Sequence, residues 1–296
     1  MILSTQTSNV VGSFGVEDGI KLLKEAGYDA LDLSLFPMST TPQHPLYGDG
    51  WREYVEGMKR TADKVGIPFN QSHVPFVFNW KNPNEFEERF MPLNIRGLEA
   101  TAIAGAKIAI VHPWHYSQFM GHEEEIFEKN MEFFRSLLPY AKEFGVKIAL
   151  ENMWQKEPKR GYIYPSACGT AKEFARYIDT LDSEYFVACL DLGHCGLVGE
   201  EAQDAIRILG HDRLKALHVH DNNYKEDTHT LPGLMMMNWD EITRALADID
   251  YSGEFTYEAD NFLKNFDNAF KPEAVRFMVK RGRDLIAKIE AHKQNN

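Results

Sequence analysis

The sequence predicts one (β/α)8 barrel spanning residues 1–296, on three observations. Ligand-type residues recur at a near-constant interval: His73, His112, Glu151 and Asp191 are 39, 39 and 40 residues apart, and His218 and Glu258 are again 40 apart. Each closes a short, largely apolar run: PFNQSH, KIAIVH, KIALE, VACLD, LKALH and EFTYE. The glycines Gly27, Gly66, Gly105 and Gly145 repeat with the same 39, 39 and 40 spacing. Finally, the segments after the predicted strands are long and those before them short. A repeat of about 40 residues is one strand–helix unit with its two turns. Ligand-type side chains at one phase of successive units meet only if the units close into a ring, at the carboxyl ends of its strands.

The elements follow in order. Strands are expected at 1–6, 30–36, 68–74, 107–112, 147–152, 187–192, 215–221 and 254–259, where β-branched and apolar residues concentrate. Amphipathic helices are expected between them at 16–26, 51–65, 86–105, 123–144, 170–181, 200–209, 239–248 and 272–292. The four spaced glycines end helices, because a C′ residue takes left-handed dihedrals that glycine adopts at little cost. The long segments 37–50, 75–85, 113–122, 153–169 and 222–238 all follow strands, which places binding apparatus on one face.

The chain has 296 residues, 44% of them hydrophobic, and a net charge of −12. That is ample for a large core, and the acidic balance argues against a broad grip on nucleic acid. Cys168, Cys189 and Cys195 are odd in number and lack zinc-knuckle spacing, so they read as free thiols. The first residues read as a strand rather than a signal peptide, and no apolar run reaches membrane-spanning length. The expectation is a cytoplasmic protein with no membrane partner. The absence of GxGxxG and Walker loops argues against a nucleotide cofactor.

Mixed imidazole and carboxylate donors without cysteine suit a divalent metal, Mn²⁺ in first place, with Zn²⁺, Co²⁺, Mg²⁺ or Fe²⁺ as alternatives. Glu151, Asp191, His218 and Glu258 form the expected primary set, since three carboxylates offset one divalent charge. His218 and His220 lie two apart on one strand and point to the same side.

The strings VHPW, ALEN, DLGH, HVHDN and FTYE resemble the metal-binding strand ends of the xylose isomerase-like barrel superfamily, over nearly the whole chain. That superfamily includes sugar epimerases, keto–aldo isomerases, inositol-pathway enzymes and an endonuclease IV branch. The resemblance to its ketose 3-epimerases implies that Glu151, Asp191, His218 and Glu258 bind the metal, with His194 and Glu157 at the substrate. The H-x-x-D pattern from His218 to Asp221 implies His218 as the ligand, leaving His220 to the pocket. A substrate-binding arginine of those epimerases is matched here by Tyr224. The endonuclease IV branch is similar at His73, His112, His194, Asp227 and His229, which implies additional metal ions and phosphodiester chemistry. HPWHY departs from the HPG of that branch.

Trp80, Trp114 and Trp154 follow strand ends, and Phe76, Phe78 and His115 add to the same rim. Aromatic faces there would pack on sugar C–H bonds, with His73, His112 and His220 adding polar contacts. Met235-Met236-Met237 reads as a pliable lid or a subunit contact, which leaves a homo-oligomer open. Lys159 and Arg160 could meet a phosphate, or simply face solvent.

The expected function is therefore a metal-dependent isomerase or epimerase of a sugar or sugar phosphate. Glu151 and Glu258 would exchange the substrate proton, and the metal would stabilise an enediolate. A multi-metal phosphodiesterase, a lyase or dehydratase of an oxidised sugar, and a non-catalytic sugar-binding barrel are the alternatives.

Overall fold

The computed structural model describes residues 1–76, 86–114 and 118–294. The barrel strands are β1 (Leu3–Gln6), β2 (Ala30–Ser34), β3 (Phe69–His73), β4 (Ile108–Val111), β5 (Lys147–Glu151), β8 (Phe186–Asp191), β9 (Leu214–His218) and β10 (Phe255–Tyr257). A small antiparallel hairpin, β6 (Trp154–Lys156) and β7 (Ile163–Pro165), occupies the loop after β5. The eight barrel strands pair in parallel in the order β10-β1-β2-β3-β4-β5-β8-β9. Just beyond β9, Val219 bridges Tyr257 and closes the ring, with Val219 N donating to Thr256 O at 2.9 Å. The fold is a TIM barrel, and every expected strand is present.

The outer helices are α2 (Val16–Ala26), α4 (Trp51–Val65), α5 (Met91–Ala104), α6 (Glu123–Phe144), α7 (Ala171–Leu181), α9 (Ala202–Arg213), α10 (Trp239–Asp248) and α12 (Lys271–Gln294). Gly27, Gly66, Gly105 and Gly145 end α2, α4, α5 and α6 with positive φ, as their spacing predicts. Two helices differ from expectation. The first turn of the stretch at 86–105 is π-helical, over Phe86–Phe90, and α9 runs on to Arg213 through a kink at Gly210.

Four short helices were not expected: α1 (Ser8–Phe14), α3 (Pro37–Thr40), α8 (Leu192–Leu197) and α11 (Asp260–Leu263). All lie in segments after barrel strands. At seven residues or fewer they are too short to show a hydrophobic period. No helix among the described residues is long and apolar enough to cross a membrane.

The barrel interior is divided. One side is apolar and small, built by Ile110, Ala149, Val187, Cys189 and Ala216 from β4, β5, β8 and β9. The other, on β10, β1, β2 and β3, is a polar chain. Ser4 Oγ donates to Asn70, Asn70 Nδ2 to Thr256 Oγ1, Thr256 Oγ1 to Gln71 Oε1, and Gln71 Nε2 to Asp32 Oδ2 at 3.0 Å. A register shift in which Leu31 pairs with Phe69 but Asp32 with Gln71 leaves Asn70 as a bulged extra residue on β3. The bulge lets neighbouring Asn70 and Gln71 both join this chain, where strict alternation would turn one of them outward.

Candidate metal centre

A cavity of about 710 Å³ opens at the carboxyl ends of the strands. Its floor carries Glu151, Glu258, His73, His112 and His194. Gln6, Ser8, Asn9 and Asp260 form one wall, and Phe36, Phe76 and Trp154 form the apolar side. Lys156 and Lys264 stand at its margin.

The four expected ligands are each placed by a strand end. Glu151 closes β5, Asp191 closes β8, His218 closes β9 and Glu258 follows β10. All four are buried, and one donor atom from each lies within 4.8 Å of the others. His218 Nδ1 is 2.9 Å from both Glu151 Oε1 and Glu258 Oε2. Gln6 Nε2 donates to Glu258 Oε1 at 2.7 Å, fixing that carboxylate from the neighbouring strand β1. Asp191 caps α8 by accepting from His194 N at 2.8 Å, so one side chain starts the helix and faces the centre. Asn152 Oδ1 accepts from Asp191 N at 2.7 Å, pinning the backbone behind it. Glu151 Oε2 and Glu258 Oε2 have short contacts to His112 and His218, yet no donor is aligned on either oxygen. Buried carboxylate oxygens without aligned donors are costly. A divalent cation fits this set, because it would engage those lone pairs and neutralise the cluster.

Two further groups adjoin the first. His73 and His112 bring their Nε2 atoms to 3.3 and 2.9 Å from Glu151 Oε2. On the other flank, Asp227 Oδ2 lies 3.0 Å from His229 Nε2 and 3.4 Å from His194 Nε2. The outer nitrogens of three of these histidines are held by carbonyls: His73 Nδ1 by Val74 O, His194 Nδ1 by Asn152 O and His229 Nδ1 by Glu258 O. Such second contacts aim the opposite nitrogen into the site. Asp227 and His229 arrive because the loop after β9 folds back, pairing Thr230 with Asp221. Thr228 Oγ1 also donates to Asp221 O.

The electrostatics follow from this crowding. Burial pushes the Glu151 carboxyl up, but the facing His218 and His112 outweigh it and hold it well below the usual carboxylate range. Glu258 is lowered likewise, by His218 and His229 acting against burial. Burial would lower His229, but its bond to Asp227 wins and carries it to about 10. His194 is also raised, its carboxylate neighbours overcoming desolvation, and His218 is raised against desolvation by Cys189, Glu258 and Glu151 together. Without metal, protons on imidazoles balance the carboxylates, so a metal must displace them.

Several expected positions lie elsewhere. Glu157 turns its carboxylate onto the backbone N–H groups of Lys159 and Arg160, closing the β6–β7 turn, and is not among the cavity-lining residues. Trp114 packs 4.5 Å from Phe86 against the helical layer, and Asn130 holds both its backbone groups. It belongs to the core rather than the cavity wall. His220 is fully buried beneath Asp191, with Nε2 at 2.9 and 3.0 Å from the two carboxylate oxygens, so it faces Asp191 and is not among the cavity-lining residues. Tyr224 points its hydroxyl to Met236 O and stacks over Gly196. His115, Phe78 and Trp80 lie outside the described residues. In the methionine run, Met235 and Met236 are exposed and Met237 is buried.

The wall residues Gln6, Ser8, Asn9 and Asp260 have no place in the ligand repeat, so no spacing in the sequence singles them out. Ser8 Oγ donates to Asp260 Oδ2, and Asn9 N donates to the same oxygen at 3.2 Å. These partners are 252 and 251 residues apart in sequence.

Comparison with known proteins agrees with this architecture. An uncharacterized protein of Methanocaldococcus jannaschii is 26% identical over 211 residues, 69% of this chain and 67% of that one. A D-psicose 3-epimerase of Ruminiclostridium cellulolyticum is 25% identical over 248 residues, 81% of this chain and 76% of the epimerase. Among solved structures, a D-tagatose 3-epimerase-like protein shares the fold with a TM-score of 0.74 at 18% identity, over 97% of this chain and 99% of that one. The family model for the xylose isomerase-like TIM barrel matches residues 20–280. With the barrel closed, the ligand-type residues gathered at its carboxyl face and that match spanning most of the sequence, the chain belongs to the xylose isomerase-like TIM barrel family.

Proposed function

We propose that this protein is a divalent-metal-dependent sugar isomerase or epimerase. The observation that carries the reading is the meeting of Glu151 and Glu258 at His218 Nδ1, on the floor of a cavity with one apolar and one hydrogen-bonding wall. The relationship to a D-psicose 3-epimerase over most of the chain supports it.

Glu151, Asp191, His218 and Glu258 would hold the ion, Mn²⁺ in first place. When bound, it supplies positive charge to a carbonyl and the neighbouring hydroxyl, favouring an enediolate. The protein does the rest. Both glutamates are held ionised, so either can accept a proton at a carboxylate oxygen. They approach from β5 and from the end of β10, which lets one take the proton and the other return it to the opposite face. Gln6 orients Glu258 through its Oε1. Phe36, Phe76 and Trp154 would cover the C–H faces of a sugar and exclude water, while Ser8, Asn9 and Asn261 would meet its hydroxyls.

A second reading rests on a specific observation. His73 and His112 flank Glu151, and His194 and His229 flank Asp227, so the cluster could hold further ions and act on a phosphodiester. The deciding experiment is an NMR assay in D₂O with added Mn²⁺ over a ketose and aldose panel, run beside cleavage of abasic-site DNA. Deuterium entering a sugar carbon is expected. DNA cleavage without exchange into any sugar would replace the first reading with the second.

A further inference from the structure

We infer that Asp32, one layer below the cavity on β2, is a positioning residue that fixes the imidazole of His218 for metal binding. The inference rests on the metal-centre reading above. Asp32 and His218 are both fully buried. His218 Nδ1 faces the centre, 2.9 Å from the two glutamates, so Nε2 must face away from it. Nε2 faces Asp32 Oδ2 at 3.6 Å, a charge-pair distance rather than a formed hydrogen bond.

The imidazole side of this gap is unsatisfied, and the facing carboxylate carries an orphan oxygen next to the one that Nε2 approaches. Among the described residues, His218 Nε2 and Asp32 Oδ1 have no hydrogen-bond partner, although each is sealed from solvent. Among the described residues, the one bond to the Asp32 carboxylate is from Gln71 Nε2 to Oδ2, at 3.0 Å. A carboxylate buried inside a barrel costs stability unless something offsets it. Gln71 supplies one neutral donor to Oδ2, and His218 is the ionisable group that faces the same oxygen.

The surroundings point the same way. Gln71 takes its place in the chain from Ser4 to Asp32 because Asn70 is bulged, so β3 departs from regular pairing where it supports Asp32. The opposite half of the interior is Ile110, Ala149, Val187, Cys189 and Ala216, which shows that this barrel fills space with apolar groups elsewhere. A carboxylate in the polar half has a chemical task. Holding the proton on His218 Nε2 leaves the Nδ1 lone pair for a metal and stops the ring from turning. Outer-shell carboxylates of this kind typically change metal affinity by about 10–100-fold.

The test uses the full chain, with Mn²⁺ alone as the probe. Mn²⁺ affinity would be measured for the parent, Asp32→Asn and Asp32→Leu. Asn keeps the shape and one acceptor oxygen, whereas Leu removes every acceptor. We expect weakening of about 10-fold for Asn and up to about 100-fold for Leu. Long-range ¹⁵N–¹H spectra of the histidine rings provide a readout that packing alone would not move. With diamagnetic Zn²⁺ in place of Mn²⁺ for the spectra, the parent should show the His218 Nε2 proton shifted downfield by Asp32, and the Leu variant should lose that shift. If both variants fold and bind Mn²⁺ as the parent does, the inference is wrong. It is equally overturned if the Zn²⁺-loaded parent carries the His218 proton on Nδ1, a result that needs no variant to fold. A parent that binds no divalent ion at all would instead overturn the metal-centre reading.

Discussion

Gly193 lies against the imidazole of His220: a Cβ added at Gly193 would overlap the His220 ring. His220 in turn supports both oxygens of Asp191. Glycine is therefore required at this position of DLGH by close approach, not by its dihedrals. Gly193→Ala should push the ring off Asp191, lowering stability by about 1–3 kcal/mol as overpacking does. Metal affinity should fall with it. Urea unfolding and a metal titration check this, and an alanine variant equal to the parent in both would show that the ring has room to move.

The metal-free protein should carry a pH signature from Asp260. Burial, opposed by its bond from Ser8 and helped by nearby Glu258, raises this carboxyl to about 6. Below its unfolded value both states are protonated and the full contribution to stability is present. As pH rises through about 6, the folded state must ionise a buried group and the contribution is lost. The loss amounts to ~3 kcal/mol at most. Asp260→Asn cannot ionise, so the stability of the parent relative to this variant should decline between pH 4 and 7. Urea titrations of chelator-treated protein measure it, and a constant difference across that range would refute the assignment.

The barrel was legible because its units repeat. Ligand-type residues and helix-ending glycines keep one phase over several units, and a phase in sequence becomes a ring in space. What stayed hidden comes from contacts that no repeat encodes. The fold-back that brings in Asp227 and His229 needs left-handed backbone at Tyr224 and His229, neither of which is glycine. It is also organised from outside the site. Asp221 collects the backbone N–H groups of Gly233, Met235 and Met237 and the indole N–H of Trp239. Sequence showed Asp221 only as the end of an H-x-x-D string. Trp114 had the right phase for the cavity but packs against Phe86, since phase fixes where a strand ends and not where the next residue turns.

Removing His73 and His112 together should separate one ion from several. Both contact Glu151 Oε2, and neither belongs to the group of Glu151, Asp191, His218 and Glu258. His73→Ala/His112→Ala should therefore keep one equivalent of divalent metal, at lowered affinity because Glu151 loses two neighbours. Metal analysis after gel filtration gives the count. A variant that retains no metal would mean that the ions bind as one cluster, the expectation of the phosphodiesterase reading.

The sharpest forecast concerns the two glutamates. Glu151→Gln and Glu258→Gln each keep size and one ligating oxygen but cannot accept a proton. Each should lose about 10²–10⁴-fold in turnover if its carboxylate transfers the substrate proton. Metal affinity should weaken in both, because one negative charge leaves the centre. The two variants should differ in exchange. A proton taken by one residue and returned by the other can wash into D₂O from either face, so the surviving base should still catalyse slow exchange at the carbon it faces. One variant should then retain deuterium uptake without completing the reaction, and assaying each sugar epimer separately identifies which face that base serves. Full turnover by either metal-loaded variant would remove that glutamate from the proton pathway and leave it only a ligand.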